Sequence, residues 1–228
     1  MIEKNLYMFW TGENELTENR KETIKKVSDT CGVNLFVLNK DNISLFEKVD
    51  SKFHKAYRYL SYTHRSDYLR CYFMHFYGGC YSDIKITTFN WLKYINILDN
   101  EKEKDIIGYS EESPNDIGIS PGDPEEKEMR TNFSSFIGNC SYICKKNTMI
   151  TTQWFNILNK ILDEKFYLLQ QNPASHPQDY YGKIIDGKYS TYPLMWTEIC
   201  GNIFHKVCFQ NTQRVLHGLP RPICINYR

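Results

Sequence analysis

Residues 64–87, HRSDYLRCYFMHFYGGCYSDIKIT, constrain this chain more than any other stretch. Apolar residues recur at helical spacing as far as Tyr77, two glycines end the helix, and residues 80–86 read as a strand that carries Asp83 into a turn. Two carboxylates, Asp67 and Asp83, and the guanidinium of Arg70 fall inside this largely apolar run. A charge in such surroundings needs a partner. The segment therefore predicts either an ion-pair network or a site.

Its neighbours predict an α/β chain. Asn5–Trp10 (NLYMFW) is an apolar run before Thr11-Gly12, residues 16–30 are charged and helical in spacing, and residues 33–38 (VNLFVL) form a second strand. Strand, helix, strand in that order implies a βαβ unit, hence a parallel sheet flanked by helices. The spacing then predicts a polar helix over 41–59, a helix capped by Thr63, a strand over 80–86, a short helix over 89–98 and a strand over 105–109. Beyond these lie a long polar loop over 110–132, a strand over 133–137 and an amphipathic helix over 147–166. Residues 172–187 are expected to be loop and short helix, TYPLMW a loop, residues 197–209 the last helix, and the tail irregular. No repeat, linker or compositional break divides the chain, so residues 1–228 are read as one domain.

Composition narrows the function classes. A formal net charge of +1 offers no basic stripe for nucleic acid. The N-terminus has no secretory pattern, and no window approaches a membrane span. The eight cysteines are scattered and read as reduced thiols, with Cys71 and Cys200 inside apolar helical patterns; Cys140 and Cys144 alone make a weak metal signal. The expectation is a cytoplasmic protein, bacterial or from a virus-infected cell, either source resting on Asn, Lys, Ile and Tyr enrichment only. The 17 tyrosines suit either ring stacking on a sugar-like ligand or a tyrosine-rich core.

Asp67 and Arg70 are spaced to share a helix face. Ligands of open parallel sheets bind outside the carboxyl edge of the strands. If the Gly-Gly turn folds the chain back, Asp83 meets both residues there. The plain alternative is an ion pair on a solvated helix face.

Ser66-Asp67-x-x-Arg70 followed by Tyr77-Gly-Gly-Cys-Tyr-Ser-Asp83 resembles the sugar-binding region of the DXD-containing glycosyltransferases. That group includes fungal initiating mannosyltransferases, clostridial glucosylating toxins and bacterial capsular polysaccharide transferases. The resemblance is specific over residues 59–88 and weaker at Met8-Phe9-Trp10-Thr11-Gly12. It implies a GT-A-like fold, a mixed sheet flanked by helices, and a nucleoside diphosphate sugar as donor. By position, Trp10 and Thr11 would meet the nucleotide, Asp67 and Arg70 the donor sugar and phosphate, and Asp83 would be the first carboxylate of the DXD motif, beside a bound Mn²⁺ or Mg²⁺.

The third position of that motif is Lys85, where the family has its second Asp. An ammonium has no lone pair for a metal. Four readings stay open. Lys85 replaces the metal; a metal binds through Asp83, donor phosphates and another carboxylate such as Glu198 or Asp123; turnover is lost and sugar binding kept; or Lys85 points outward. Further candidates are Asn139 after a strand, Trp196 and Glu198 at the start of the last helix, His217 near the C-terminus, and His176 with Asp179. The 110–132 loop is a candidate acceptor-side lid.

The sequence thus predicts a glycosyltransferase acting on a glycan or other acceptor hydroxyl, with retention of configuration implied by the resemblance alone. The other reading is a catalytically weak or inactive sugar-nucleotide or glycan-binding protein. Oligomeric state is not legible.

Overall fold

The computed structural model describes residues 1–224. Its centre is a six-stranded sheet in the order β2-β1-β3-β5-β4-β8. The strands are β1 (Asn5–Trp10), β2 (Asn34–Asn39), β3 (Gly79–Ser82), β4 (Ile106–Ser110), β5 (Ile137–Cys144) and β8 (Val215–His217). β1 pairs parallel with β2 and β3, and β4 with β8; β5 alone runs antiparallel, between β3 and β4. A two-stranded hairpin, β6 (Ile184–Ile185) and β7 (Lys188–Tyr189), stands apart from the sheet.

Alternation along the strands makes two cores. Tyr7 and Phe9 of β1 and Tyr81 of β3 face α2 (Tyr62–Phe76), α5 (Met149–Glu164) and α7 (Gly201–Gln210). Leu6, Met8 and Cys80 face the other way, onto Val27 of α1 (Glu18–Thr30) and Trp91, Ile95 and Leu98 of α3 (Trp91–Asn100). The two remaining helices are short, α4 (Glu126–Thr131) and α6 (Phe166–Gln171).

The Gly-Gly stop is obligatory. Gly78 and Gly79 adopt φ of +65° and +88°, and a Cβ on Gly79 would sit 2.8 Å from the Asn5 carbonyl oxygen. Only glycine lets α2 end and β3 begin flush against β1.

Several expectations are corrected. Residues 41–59 are not a helix but loop with two 3₁₀ turns, Ile43–Phe46 and Tyr57–Tyr59. Tyrosine hydroxyls of α2 supply the hydrogen bonds a helix would have made: Lys48 N–H donates to Tyr72 at 2.7 Å, Tyr72 donates to Ser51 C=O at 2.7 Å, and His54 N–H donates to Tyr68 at 2.8 Å. The cap of α2 is Ser61, whose Oγ accepts from His64 N–H; Thr63 lies inside the helix. The strand expected over 133–137 is a 3₁₀ turn leading into β5, whose Gly138, Asn139 and Ser141 hide a strand pattern. Residues 215–217, between the last expected helix and the tail, form β8, and the described tail residues 218–224 are irregular. The last helix starts at Gly201.

The 110–132 segment is not structureless. Ile117, Ile119 and Met129 form a small core with Phe136, and Arg130 ties Glu126 Oε1 to the Pro114 carbonyl. Its Gly118 crosses Gly201 so closely that a Cβ would lie 2.7 Å from the Gly201 Cα. All eight cysteines are free. No described helix is long and apolar enough to cross a membrane.

Candidate active site

β2 and β3 flank β1 on opposite sides, so the chain reverses its winding there and leaves a crevice at the carboxyl end of β1. A cavity of about 240 Å³ occupies this crevice, walled by Trp10, Arg20, Tyr62, Arg70, Asp83 and Gln178 among others. A larger hollow of about 450 Å³ opens among Glu3, Asp99, Lys145 and Lys146 at the far end of the sheet, away from the conjunction of charges below.

One turn of α2 places Asp67 and Arg70 on the same face, both buried. Arg70 Nη2 lies 3.1 Å from Asp67 Oδ1 and 3.4 Å from Asp83 Oδ1. Its Nη1 donates to Asn139 C=O at 2.8 Å, and the guanidinium covers the Tyr81 ring, 4.6 Å from its centroid. β3 delivers Asp83 from below. The Asp83 N–H donates to Cys140 C=O, so the antiparallel β5 fixes the turn. Asp83 Oδ1 accepts from the Tyr81 hydroxyl at 2.6 Å.

Lys85 is buried rather than outward. Its Nζ lies 3.0 Å from Asp83 Oδ2 and 2.9 Å from Cys140 Sγ. Burial works against its charge, but the Asp83 carboxylate outweighs burial and holds its pKa above the ordinary lysine value. Burial pushes the Cys140 thiol up to about 11, so the sulfur is protonated at neutral pH. Burial works to raise Asp83, yet Arg70 and Lys85 hold it below the usual carboxylate range. For Asp67, burial prevails over Arg70 and His64, and its pKa is raised. Two neighbouring carboxyl groups are thus pushed in opposite directions by unequal shares of positive charge.

A divalent cation does not fit this donor set. Asp83 Oδ1 is taken by Tyr81 and Arg70, and Oδ2 by Lys85. A dication about 4 Å from the ammonium would meet a repulsion of roughly 8 kcal/mol even at an effective dielectric of about 20. Neither alternative carboxylate joins Asp83. Glu198 binds Lys165 at 2.5 Å and the Met195 N–H, and Asp123 binds Lys206 at 2.5 Å. Among the described residues no three His, Cys, Asp or Glu side chains stand close enough to hold a metal ion.

The remaining sequence candidates divide. Trp10 lines the cavity, donates from Nε1 to Asn14 C=O, and carries the Arg20 guanidinium over its ring at 5.0 Å. Thr11 also lines the cavity while its hydroxyl donates to Tyr62 C=O. Asn139 meets Arg70 through its backbone, and its amide lies 3.7 Å from Cys200 Sγ. Trp196 is 43% exposed, with Tyr180 against it at 5.6 Å. His217 sits on the edge strand and bonds Ser110, away from the cluster of charges. Asp179 is a buried brace that accepts from Ser175. His176 Nδ1 accepts from the Gln178 N–H in the same turn, and Pro177 and Gln178 form one lip of the cavity.

Three residues carried no readable signal. Arg20 sits in a charged helix with many equivalents and gains meaning only from its place in the cavity wall. His64 is fully buried. Its Nδ1 faces the Tyr192 and Ser61 hydroxyls, and its Nε2 lies 3.1 and 3.2 Å from the Met195 and Trp196 carbonyls. Nε2 therefore carries the proton, and the ring fastens the loop that presents Trp196. Glu111, just past β4, is buried near Lys85 and Arg221, and burial together with Asp116 pushes its pKa up to about 7.

Residues 7–105 match the family model for the glycosyltransferase sugar-binding region containing a DXD motif, so the resemblance read from residues 59–88 holds over a wider span. Among solved structures, the chain is similar to PaToxG glycosyltransferase, with a TM-score of 0.50 and 14% identity over 92% of this chain and 69% of that one. The likeness is one of fold, and the fold is GT-A-like. No curated protein matches this sequence.

Proposed function

We propose that this chain is a glycosyltransferase that moves a hexose-like sugar from a nucleoside diphosphate donor to an acceptor hydroxyl, with residues 1–228 acting as one GT-A-like unit. The observation that carries the proposal is that Arg70 and Asp83 line a cavity at the carboxyl end of β1 together with Trp10, while the buried Asp67 holds Arg70 from within the fold.

Each residue has a role its chemistry suits. Trp10 offers a π-face for the nucleotide base, with Arg20 beside it. Arg70 is a planar, permanently charged donor suited to a phosphate oxygen. Asp83, held ionised, accepts from ribose or sugar hydroxyls. As the bond to the leaving diphosphate breaks, negative charge grows on its oxygens, and fixed cations close by stabilise it. The half-exposed Trp196 ring, with the Tyr180 ring against it, offers an apolar face of the kind on which an acceptor sugar stacks. That favours a glycan acceptor, as in polysaccharide biosynthesis. Retention of configuration is part of the proposal through the family resemblance.

Calorimetric titration with UDP- and GDP-sugars, followed by a donor hydrolysis assay, tests it. Micromolar binding with slow hydrolysis is the expected result. Binding with neither hydrolysis nor transfer to any of a panel of glycans would make the chain a sugar-nucleotide-binding protein. No binding of either donor would end the reading.

A further inference from the structure

We infer that this donor site works without a divalent cation, Lys85 and Arg70 together supplying the positive charge that faces the diphosphate. The inference rests on the donor-binding reading above and adds the nature of the electrophile.

The argument begins with charge. A D-x-D site that holds a dication contributes, at its third position, a carboxylate of charge −1 and a metal of charge +2, a sum of +1. Lysine at that position contributes +1 by itself. With Asp67, Arg70 and Asp83 unchanged, the cluster has the same net charge either way. The substitution therefore conserves the electrostatics while removing the ligand, which a random replacement by a neutral residue would not do.

Placement makes the same point. Lys85 is not on the solvated side of its turn. It is buried, 3.0 Å from Asp83 Oδ2, at the oxygen a cation would otherwise use. The turn that places it is tight, with the Lys85 N–H 2.6 Å from the Asp83 carbonyl. Cys140 of β5 abuts the ammonium at 2.9 Å as a soft, uncharged neighbour. A carboxylate there would repel a phosphate; a thiol does not. Mg²⁺ and Mn²⁺ seek several oxygen ligands, and here three candidate carboxylates are tied to cations, Asp67 to Arg70, Glu198 to Lys165 and Asp123 to Lys206, while burial favours the protonated form of Glu111. Arg70 and Lys85 flank Asp83 from its two oxygens, so one carboxylate positions both cations. A diphosphate entering the cavity meets Arg70 and Asp83 on its wall, and the buried Lys85 acts through its 3.0 Å pair with Asp83 Oδ2.

The test is calorimetric titration of the full chain with UDP and GDP, first in EDTA and then with 2 mM Mn²⁺ (a working concentration of about that order suits most dication sites). The inference expects binding in EDTA that Mn²⁺ changes by less than about twofold. Lys85→Ala should weaken it at least about tenfold with no rescue by Mn²⁺, Lys85→Arg should retain most of it, and Lys85→Asp should bind only when Mn²⁺ is present. Wild-type binding that needs Mn²⁺, or Lys85→Ala binding as tightly as wild type, overturns the inference while leaving the donor reading intact. No binding of either nucleotide in any condition overturns the donor reading and this inference with it. The metal comparison uses the wild-type chain, so it stands even if a variant fails to fold.

Discussion

Lys85 Nζ lies 3.0 Å from Asp83 Oδ2, an ion pair formed across two residues of one tight turn, the lysine buried and the carboxylate half-buried. It puts a cation where the family pattern has a metal-binding carboxylate. Arg70 meets the other oxygen of the same Asp83. The carboxylate is thus a shared anchor, and removing either cation has consequences for the other.

Arg70 is the residue whose loss should cost most. It lies between the buried Asp67 and the half-buried Asp83 and also bonds the Asn139 carbonyl of β5. Arg70→Met leaves Asp67 and Asp83 without their common partner, and breaking a buried pair from one side costs about 3 kcal/mol or more. Urea unfolding should show a lower midpoint, and nucleotide binding should fall below detection in the same variant.

Glu111 predicts a pH dependence of stability. Burial raises its carboxyl from 4.5 to about 7. Between those values the folded chain keeps a proton that the unfolded chain has lost. The associated stability is therefore present below about pH 4.5 and is lost as pH rises toward 7, on the order of 3 kcal/mol across the window. Glu111→Gln, which cannot ionise, should flatten this slope and be more stable than wild type at pH 8. Unfolding free energies from denaturant melts at pH 5, 6, 7 and 8 that follow the same pH dependence in wild type and Glu111→Gln would contradict it.

His64 should act on the acceptor side. It fastens the loop that ends in Trp196 through two carbonyls and the Tyr192 hydroxyl. His64→Ala removes the ring N–H shared by the Met195 and Trp196 carbonyls, a loss of about 1 kcal/mol. Transfer to an acceptor should fall more than donor hydrolysis does, because the Trp196 face is displaced while Arg70 and Asp83 are not. Equal losses in the two assays would contradict this division.

Tyr72→Phe isolates a purely structural role. The variant removes the hydroxyl that accepts from Lys48 and donates to Ser51. A stability loss of about 1–3 kcal/mol is expected, with nucleotide affinity unchanged. The same hydroxyl explains why a helix was expected over 41–59 and not found. That stretch has apolar residues at helical spacing, but its backbone is satisfied from α2, a long-range arrangement no local pattern carries. Part of the tyrosine enrichment is of this kind, bracing a loop rather than stacking on sugar.

What was legible had local causes. The β1-α1-β2 order, the Gly-Gly stop of α2 and the placement of Asp67, Arg70 and Asp83 follow from spacing and from backbone conformations only glycine adopts. What was not legible depends on pairing across the sheet. β5 is antiparallel and interrupted by Gly138, Asn139 and Ser141, so its residues show no clear alternation; yet β5 supplies the carbonyls that hold Arg70 and Asp83 and the thiol beside Lys85. The burial of Lys85 followed from that strand, and a reading confined to its own turn left its direction open. Glu198 and His217 looked like site residues from their neighbours in sequence, but Lys165 and Ser110 hold them elsewhere.

The most direct measurement is the rate of donor-sugar hydrolysis by Asp83→Asn beside wild type, with far-UV circular dichroism as the check on folding. The substitution keeps the shape of the side chain and removes the charge that Arg70 and Lys85 share. A fall of about 100-fold or more in an otherwise native-like protein is the predicted result, corresponding to nearly 3 kcal/mol of transition-state stabilisation. Wild-type turnover from a folded Asp83→Asn protein would contradict it, because the donor would then be organised somewhere other than this conjunction of charges.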